Sequence, residues 1–128
     1  MSIDELVRYR LSRAEETLEE ARLLAAGNYW NAVANRLYYA SFYAVNALLL
    51  KNNRKPVSHN GVKTEFYKSF VKTNIVSLQS AKLYSRLFNL RQEGDYFDFK
   101  KLEKPDVEPF ISEVQNFIEE LKRITTLS

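Results

Sequence analysis

Cysteine is absent from the 128 residues. No disulfide can brace the fold, no thiolate can act as a nucleophile, and no cysteine-ligated metal site can form. Histidine occurs once, at His59, which rules out a zinc site built on two or more histidines of one chain. Glycine and proline number three each, too few for a domain built on many tight turns. No apolar run approaches the ~20 residues of a membrane-spanning helix. The opening Met-Ser-Ile-Asp-Glu lacks the basic start and apolar stretch of a secretory signal. These absences lead to the expectation of a cytoplasmic protein without membrane association. Glycine-rich phosphate loops and the HExxH and GxSxG signatures are also missing, so no metal and no cofactor is expected.

The residues that are present read as one globular domain over 1–128. Hydrophobic residues make up 45% and charged residues 27%, a balance that can bury a core. The net charge of +3 is unevenly placed. Lys51, Arg54, Lys55, Lys63, Lys68 and Lys72 face a single acid, Glu65, between residues 51 and 72. Such a region is either a solvated lysine-rich surface or an attractor of phosphates, with Lys55 and Lys63 as candidate ligand-binding residues.

Helical periodicity runs through almost the whole chain. Ser2 can cap a first helix whose apolar stripe is Val7, Leu11, Ala14, Leu18, Ala21 and Ala25, ending at Gly27. Residues 28–50 form a second helix that is apolar nearly all round, and therefore central. Its tyrosines and Trp30 suit an interface, since each has an apolar body and one polar tip, so part of this helix is expected to be buried by another chain. Residues 51–57 make a basic loop. A third helix over 60–73 buries Val62, Phe66 and Phe70 and breaks at Asn74. A fourth over 77–93 buries Ala81, Tyr84, Leu87, Phe88 and Leu90 and stops at Gly94, a residue type common just past helix ends. Phe97 and Phe99 then pin a loop to the body. Pro105 opens a last helix, at a position proline tolerates, with Val107, Val114, Phe117, Ile118 and Leu121 inward. Short connections make successive helices antiparallel. The expected fold is all-α, an antiparallel bundle of four to five helices.

Three groups of residues could carry chemistry. Arg91 and Asp95 stand four apart at a helix end, with Tyr96 next to them, so a cation, a carboxylate and a phenol meet. As structure this is a local lock. As a site, Arg91 would hold a phosphate and Asp95 would orient it or accept a proton. Arg36, beside Asn35 within the apolar second helix, must be paired or hydrogen-bonded. It is either tied to a carboxylate such as Asp95 or Glu93 or is a ligand-binding group. His59 is either a helix-start surface residue or a proton carrier near a phosphate, because imidazole titrates close to neutral pH.

Three segments occur in fixed order: Asn35-Arg36-Leu37-Tyr38-Tyr39-Ala40-Ser41-Phe42-Tyr43-Ala44, then Ser58-His59-Asn60-Gly61-Val62, then Leu87-Phe88-Asn89-Leu90-Arg91-Gln92-Glu93-Gly94-Asp95-Tyr96. Together they resemble a small branch of the HEPN superfamily, over nearly the whole chain. The resemblance implies a helical bundle that forms a homodimer and acts with a minimal nucleotidyltransferase in a toxin–antitoxin-like pair, binding nucleotide or RNA. It also implies, as the alternative, a metal-independent ribonuclease in which an arginine is followed four to six residues later by a histidine, with two such motifs meeting across the dimer. The third reading is a structural bundle with no ligand. Arg91 matches the motif's arginine. Positions 96–98 are Tyr96, Phe97 and Asp98, and no histidine follows Arg91. The catalytic candidates are therefore Arg91, Asp95, Tyr96 and His59, with Asn35, Arg36, Lys55 and Lys63 as ligand-binding candidates.

Overall fold

A computed structural model describes residues 2–97 and 100–127. The elements are α1 (Ile3–Ala26), α2 (Trp30–Lys51), α3 (His59–Phe66) running into a wide turn at Tyr67–Val71, α4 (Leu78–Tyr96), a short α5 (Lys104–Val107) and α6 (Phe110–Leu127). No strand occurs among the described residues. The fold is the expected antiparallel helical bundle, with the final segment divided into a single turn and a long helix. None of the helices is long and apolar enough to cross a membrane.

Helix starts follow side-chain chemistry. Ser2, Ser58 and Ser77 each accept a hydrogen bond from the backbone N–H three residues on, at Glu5, Gly61 and Ser80. These hydroxyls satisfy donors that the first turn leaves free. Ser77 is further held by α6: Glu120 accepts from the Ser77 backbone and hydroxyl and from the Ser80 hydroxyl, at 2.9, 3.1 and 2.6 Å. These bonds, with Arg123 nearby, hold the Glu120 carboxyl below its ordinary pKa, although burial pushes the other way.

Helix ends depend on asparagine more than on glycine. Asn28, Asn53 and Asn74 adopt φ of 64°, 60° and 61°, the left-handed conformation that closes a helix. In each case the next N–H reaches back to a carbonyl five residues earlier: Tyr29 to Leu24, Arg54 to Leu49 and Ile75 to Phe70. Gly27 precedes the left-handed residue at the end of α1 and is not itself left-handed.

Helix α2 is the central rod. It packs on α1, α4 and α6 and touches α3 and α5. Val33, Leu37, Val45, Leu48 and Leu49 are buried along it. Tyr84 of α4 stacks on Phe117 of α6 with centroids 6.0 Å apart, and Phe66 of α3 meets both rings edge-on. Trp30 and Tyr38, which suit an interface by residue type, are buried within the chain itself. Tyr39, Phe42 and Tyr43 are half-buried and form the open aromatic side of α2.

Two expectations at the end of α4 are corrected. Gly94 does not stop the helix, which continues to Tyr96. Its role is close approach: an added Cβ would stand 3.1 Å from Leu102 Cδ1 and 3.7 Å from the Asn31 backbone. Nor does Phe97 pin the following segment, being 61% exposed; Phe99 lies outside the described residues. Leu102 is buried instead, and Asn31 ties the segment to α2. The Asn31 amide donates to the carbonyls of Gly94 and Lys100, both at 3.1 Å, and its oxygen accepts from the Leu102 N–H at 2.7 Å.

Candidate functional site

The side chains that could carry chemistry gather where α2, the start of α3 and the end of α4 meet. Arg91 is 4% exposed, an unusual place for a guanidinium. It lies over the rings of Tyr38, Tyr96 and Tyr39 at 4.7, 5.5 and 5.8 Å. One terminal nitrogen donates to the Tyr96 hydroxyl at 3.2 Å and lies 3.8 Å from Asp95 Oδ2. Its Nε is buried without a hydrogen-bond partner. The cation is thus held by ring faces and one loose carboxylate, which leaves part of its hydrogen-bonding capacity unused.

Tyr38 joins this arginine to the histidine. Its hydroxyl shares a 2.8 Å hydrogen bond with His59 Nδ1, and the His59 ring rests 4.7 Å from Phe42. Burial pushes the Tyr38 hydroxyl up to about 12, although the Arg91 charge opposes it, so the phenol stays protonated. Burial, reinforced by the positive charge of Arg91, lowers the His59 pKa below its ordinary value. His59 is therefore neutral near pH 7, with Nδ1 committed to Tyr38 and Nε2 without a hydrogen-bond partner among the described residues. When Nδ1 carries the proton, Nε2 is a base; when Tyr38 donates, Nε2 carries it.

Asn35 links the arginine to a second cation. Its amide donates to Asp95 Oδ2 at 2.9 Å, while its oxygen accepts from Arg36 Nε and a terminal Arg36 nitrogen at 3.0 and 2.8 Å. Arg36 pairs with Glu20 of α1 at 3.1 Å. This corrects the expected partner: the carboxylate is neither Asp95 nor Glu93. Residues on one strip of α2 thus bind α1 on one side and α4 on the other.

Arg91, Asp95, Tyr96, His59, Asn35 and Arg36 are all brought together. Lys63 stands at the margin, its Nζ 4.6 Å above the Phe88 ring, which meets Tyr38 edge-on at 5.8 Å. Lys55 falls elsewhere, in a shallow depression of the α2–α3 loop with Arg54, Pro56 and Thr64. Tyr38, Tyr39 and Phe88 join the site although the sequence presents them only as core or interface. The one signal for Tyr38 is its place two residues after Arg36 on a helix face shared with Asn35, but only folding puts His59 beside it.

The architecture and this cluster define the class: an all-α bundle domain that gathers an arginine, a histidine and three tyrosines at one helix junction. The HEPN domain model matches residues 7–124, and the chain belongs to the HEPN family. A UPF0332 protein of Thermotoga maritima is 34% identical over 94% of this chain and 92% of its own length. Two proteins of Methanocaldococcus jannaschii, each named a "putative toxin", are 31% identical over 94% of this chain and 90% of their sequence, and 30% identical over 88% and 77%.

Proposed function

We propose that this HEPN protein is the toxin-like member of a toxin–antitoxin-like pair, works as a homodimer with a minimal nucleotidyltransferase partner, and acts on RNA phosphodiesters without a metal. The observation that carries this reading is the hydrogen bond shared by Tyr38 and His59 on one side of a ring whose face holds Arg91. In this reading α3 supplies the histidine that the family's motif places after the arginine. The names of the two archaeal relatives support the toxin reading.

In the proposed reaction Arg91 neutralises the charge on the phosphate under attack. The ribose 2′-oxygen bonds to phosphorus as neutral His59 removes its proton through Nε2. The bond from phosphorus to the 5′-oxygen breaks, leaving a 2′,3′-cyclic phosphate. The departing 5′-oxygen takes a proton from the His59 of the second copy, which enters the step as the imidazolium, the minor form near pH 7. One histidine per chain and two proton transfers per turnover favour a dimer in which two sites adjoin. The half-buried Tyr39, Phe42 and Tyr43 next to the site are the face proposed to meet the second copy.

Purified protein incubated with RNA and excess chelator should yield cyclic-phosphate ends, and His59→Ala and Arg91→Ala should each abolish them. RNA left intact by the wild-type protein would sink the cleavage step. Nucleotide or RNA binding without turnover would then be the surviving reading, favoured by the absence of histidine at positions 96–98. Co-purification with an encoded nucleotidyltransferase tests the partnership, and separation of the two at micromolar concentration would reject it.

A further inference from the structure

Along α3 and the wide turn after it, Asn60, Thr64, Lys68 and Lys72 recur at steps of four, with Lys63 and Tyr67 beside them, so their side chains share one face. The segment closes over Tyr67–Val71, where the Lys72 N–H bonds to the Tyr67 carbonyl five residues back at 2.9 Å. The cations of that face are Lys63, Lys68 and Lys72. All three line one cleft of about 650 Å³, with Asn60, Tyr67 and Ser85. No acidic residue lines it. Glu65, on the same helix, is turned to Arg54 at 2.9 Å. Lys68 and Lys72 are exposed and have no carboxylate partner among the described residues.

This cleft begins where the Arg91–His59 site ends. Asn60 follows His59 in sequence, and Lys63 sits on Phe88, which abuts Tyr38. From Lys63 to Lys72 is roughly 13 Å at ~1.5 Å per residue, long enough for more than one phosphate of a strand. Tyr67 adds a ring, anchored by its hydroxyl to the Ala81 carbonyl, and single strands are held by such pairings of cations with rings.

We infer that Lys63, Lys68 and Lys72 form a track for single-stranded RNA, which carries the strand away from the phosphodiester held at Arg91 and His59. The inference rests on the proposed function, since it extends the same substrate. It makes the preferred ligand an oligonucleotide and not a mononucleotide or dinucleotide.

The test uses the full chain and a 2′-O-methylated oligouridylate, which cannot be cleaved, titrated across a range of salt. For single strands the slope of log affinity against log salt is about −0.7 per phosphate neutralised. Lys68→Ala/Lys72→Ala should therefore flatten the slope by about 1.4, while leaving binding of the 2′-O-methylated dinucleotide UpU unchanged. Arg8→Ala, an exposed cation on α1, should leave the slope unchanged. An unaltered slope in the double variant overturns the track, and the lysines would then suit an acidic protein surface. A flattened slope alongside full affinity in Arg91→Ala would keep the track and reject the site. Absence of oligonucleotide binding by the wild type at low salt overturns both.

Discussion

Replacing Arg91 with methionine separates its two roles. Methionine fills a similar volume without charge. Of the three rings around the guanidinium, only Tyr38 at 4.7 Å is close; Tyr96 at 5.5 Å and Tyr39 at 5.8 Å lie near the limit of the interaction. Their loss costs about 1–2 kcal/mol. Against this stands the buried Nε without a partner, a desolvation cost of about 1–3 kcal/mol that methionine removes. Asp95, left behind, is partly solvated and keeps Asn35. The two terms nearly cancel, so the melting temperature should move by less than about 5 °C. RNA cleavage should nevertheless fall about 10²–10³-fold in kcat/KM, as when one preorganised donor is taken from a charge-stabilising site. Circular-dichroism melting and chelator-treated cleavage assays measure the two effects. A melting temperature lowered by more than about 10 °C would make Arg91 a structural tie, and unchanged cleavage would remove it from the chemistry.

Asn31→Ala should cost about 2–3 kcal/mol in urea unfolding, because three backbone groups lose their partner. Phe117→Ala should cost about 3–5 kcal/mol by the same assay, since the stacked ring is buried between Tyr84 and Phe66. With its folded pKa lowered, His59 takes up a proton more readily in the unfolded chain. Stability should therefore decline as pH falls below the ordinary 6.5, and His59→Asn should lose that decline in pH-dependent melts. The His59 imidazole, unique in the chain, can also be titrated by NMR, and Arg91→Met should raise its midpoint. Glu120 follows the same sign at lower pH: its contribution is complete above the ordinary 4.5 and is lost on acidification. Glu120→Gln should flatten stability in that acid range.

Apolar spacing is enough to read the bundle, because each long helix presents a stripe that only its neighbours can cover. Sequence reading fails where one residue type serves two physical ends. Gly94 looks the same in sequence whether it closes a helix or admits a neighbour's backbone, and only the position of Asn31 and Leu102 decides. Trp30 and Tyr38 suit an interface as well as a core, and the choice depends on the surface that α4 and α6 leave open. Arg36 plainly needs a carboxylate, but which one depends on the crossing of α1 and α2. Arg91, Asp95 and Tyr96 are local in sequence and are legible together. His59 is 32 positions away from Arg91, and its bond to Tyr38 exists only after α3 docks. The widened turn leaves no mark in composition at all.

That turn gives the chain one residue in reserve at 67–71. Deleting one residue there would restore ordinary winding and leave the flanking residues facing as before, whereas the same loss within α4 would rotate everything after it by about 100°. Phe70 is buried in the core, and Lys68 and Lys72 face the cleft, so the residue best spared is another, such as Ser69. A library that removes single codons should find this short stretch more forgiving than the regular helices around it.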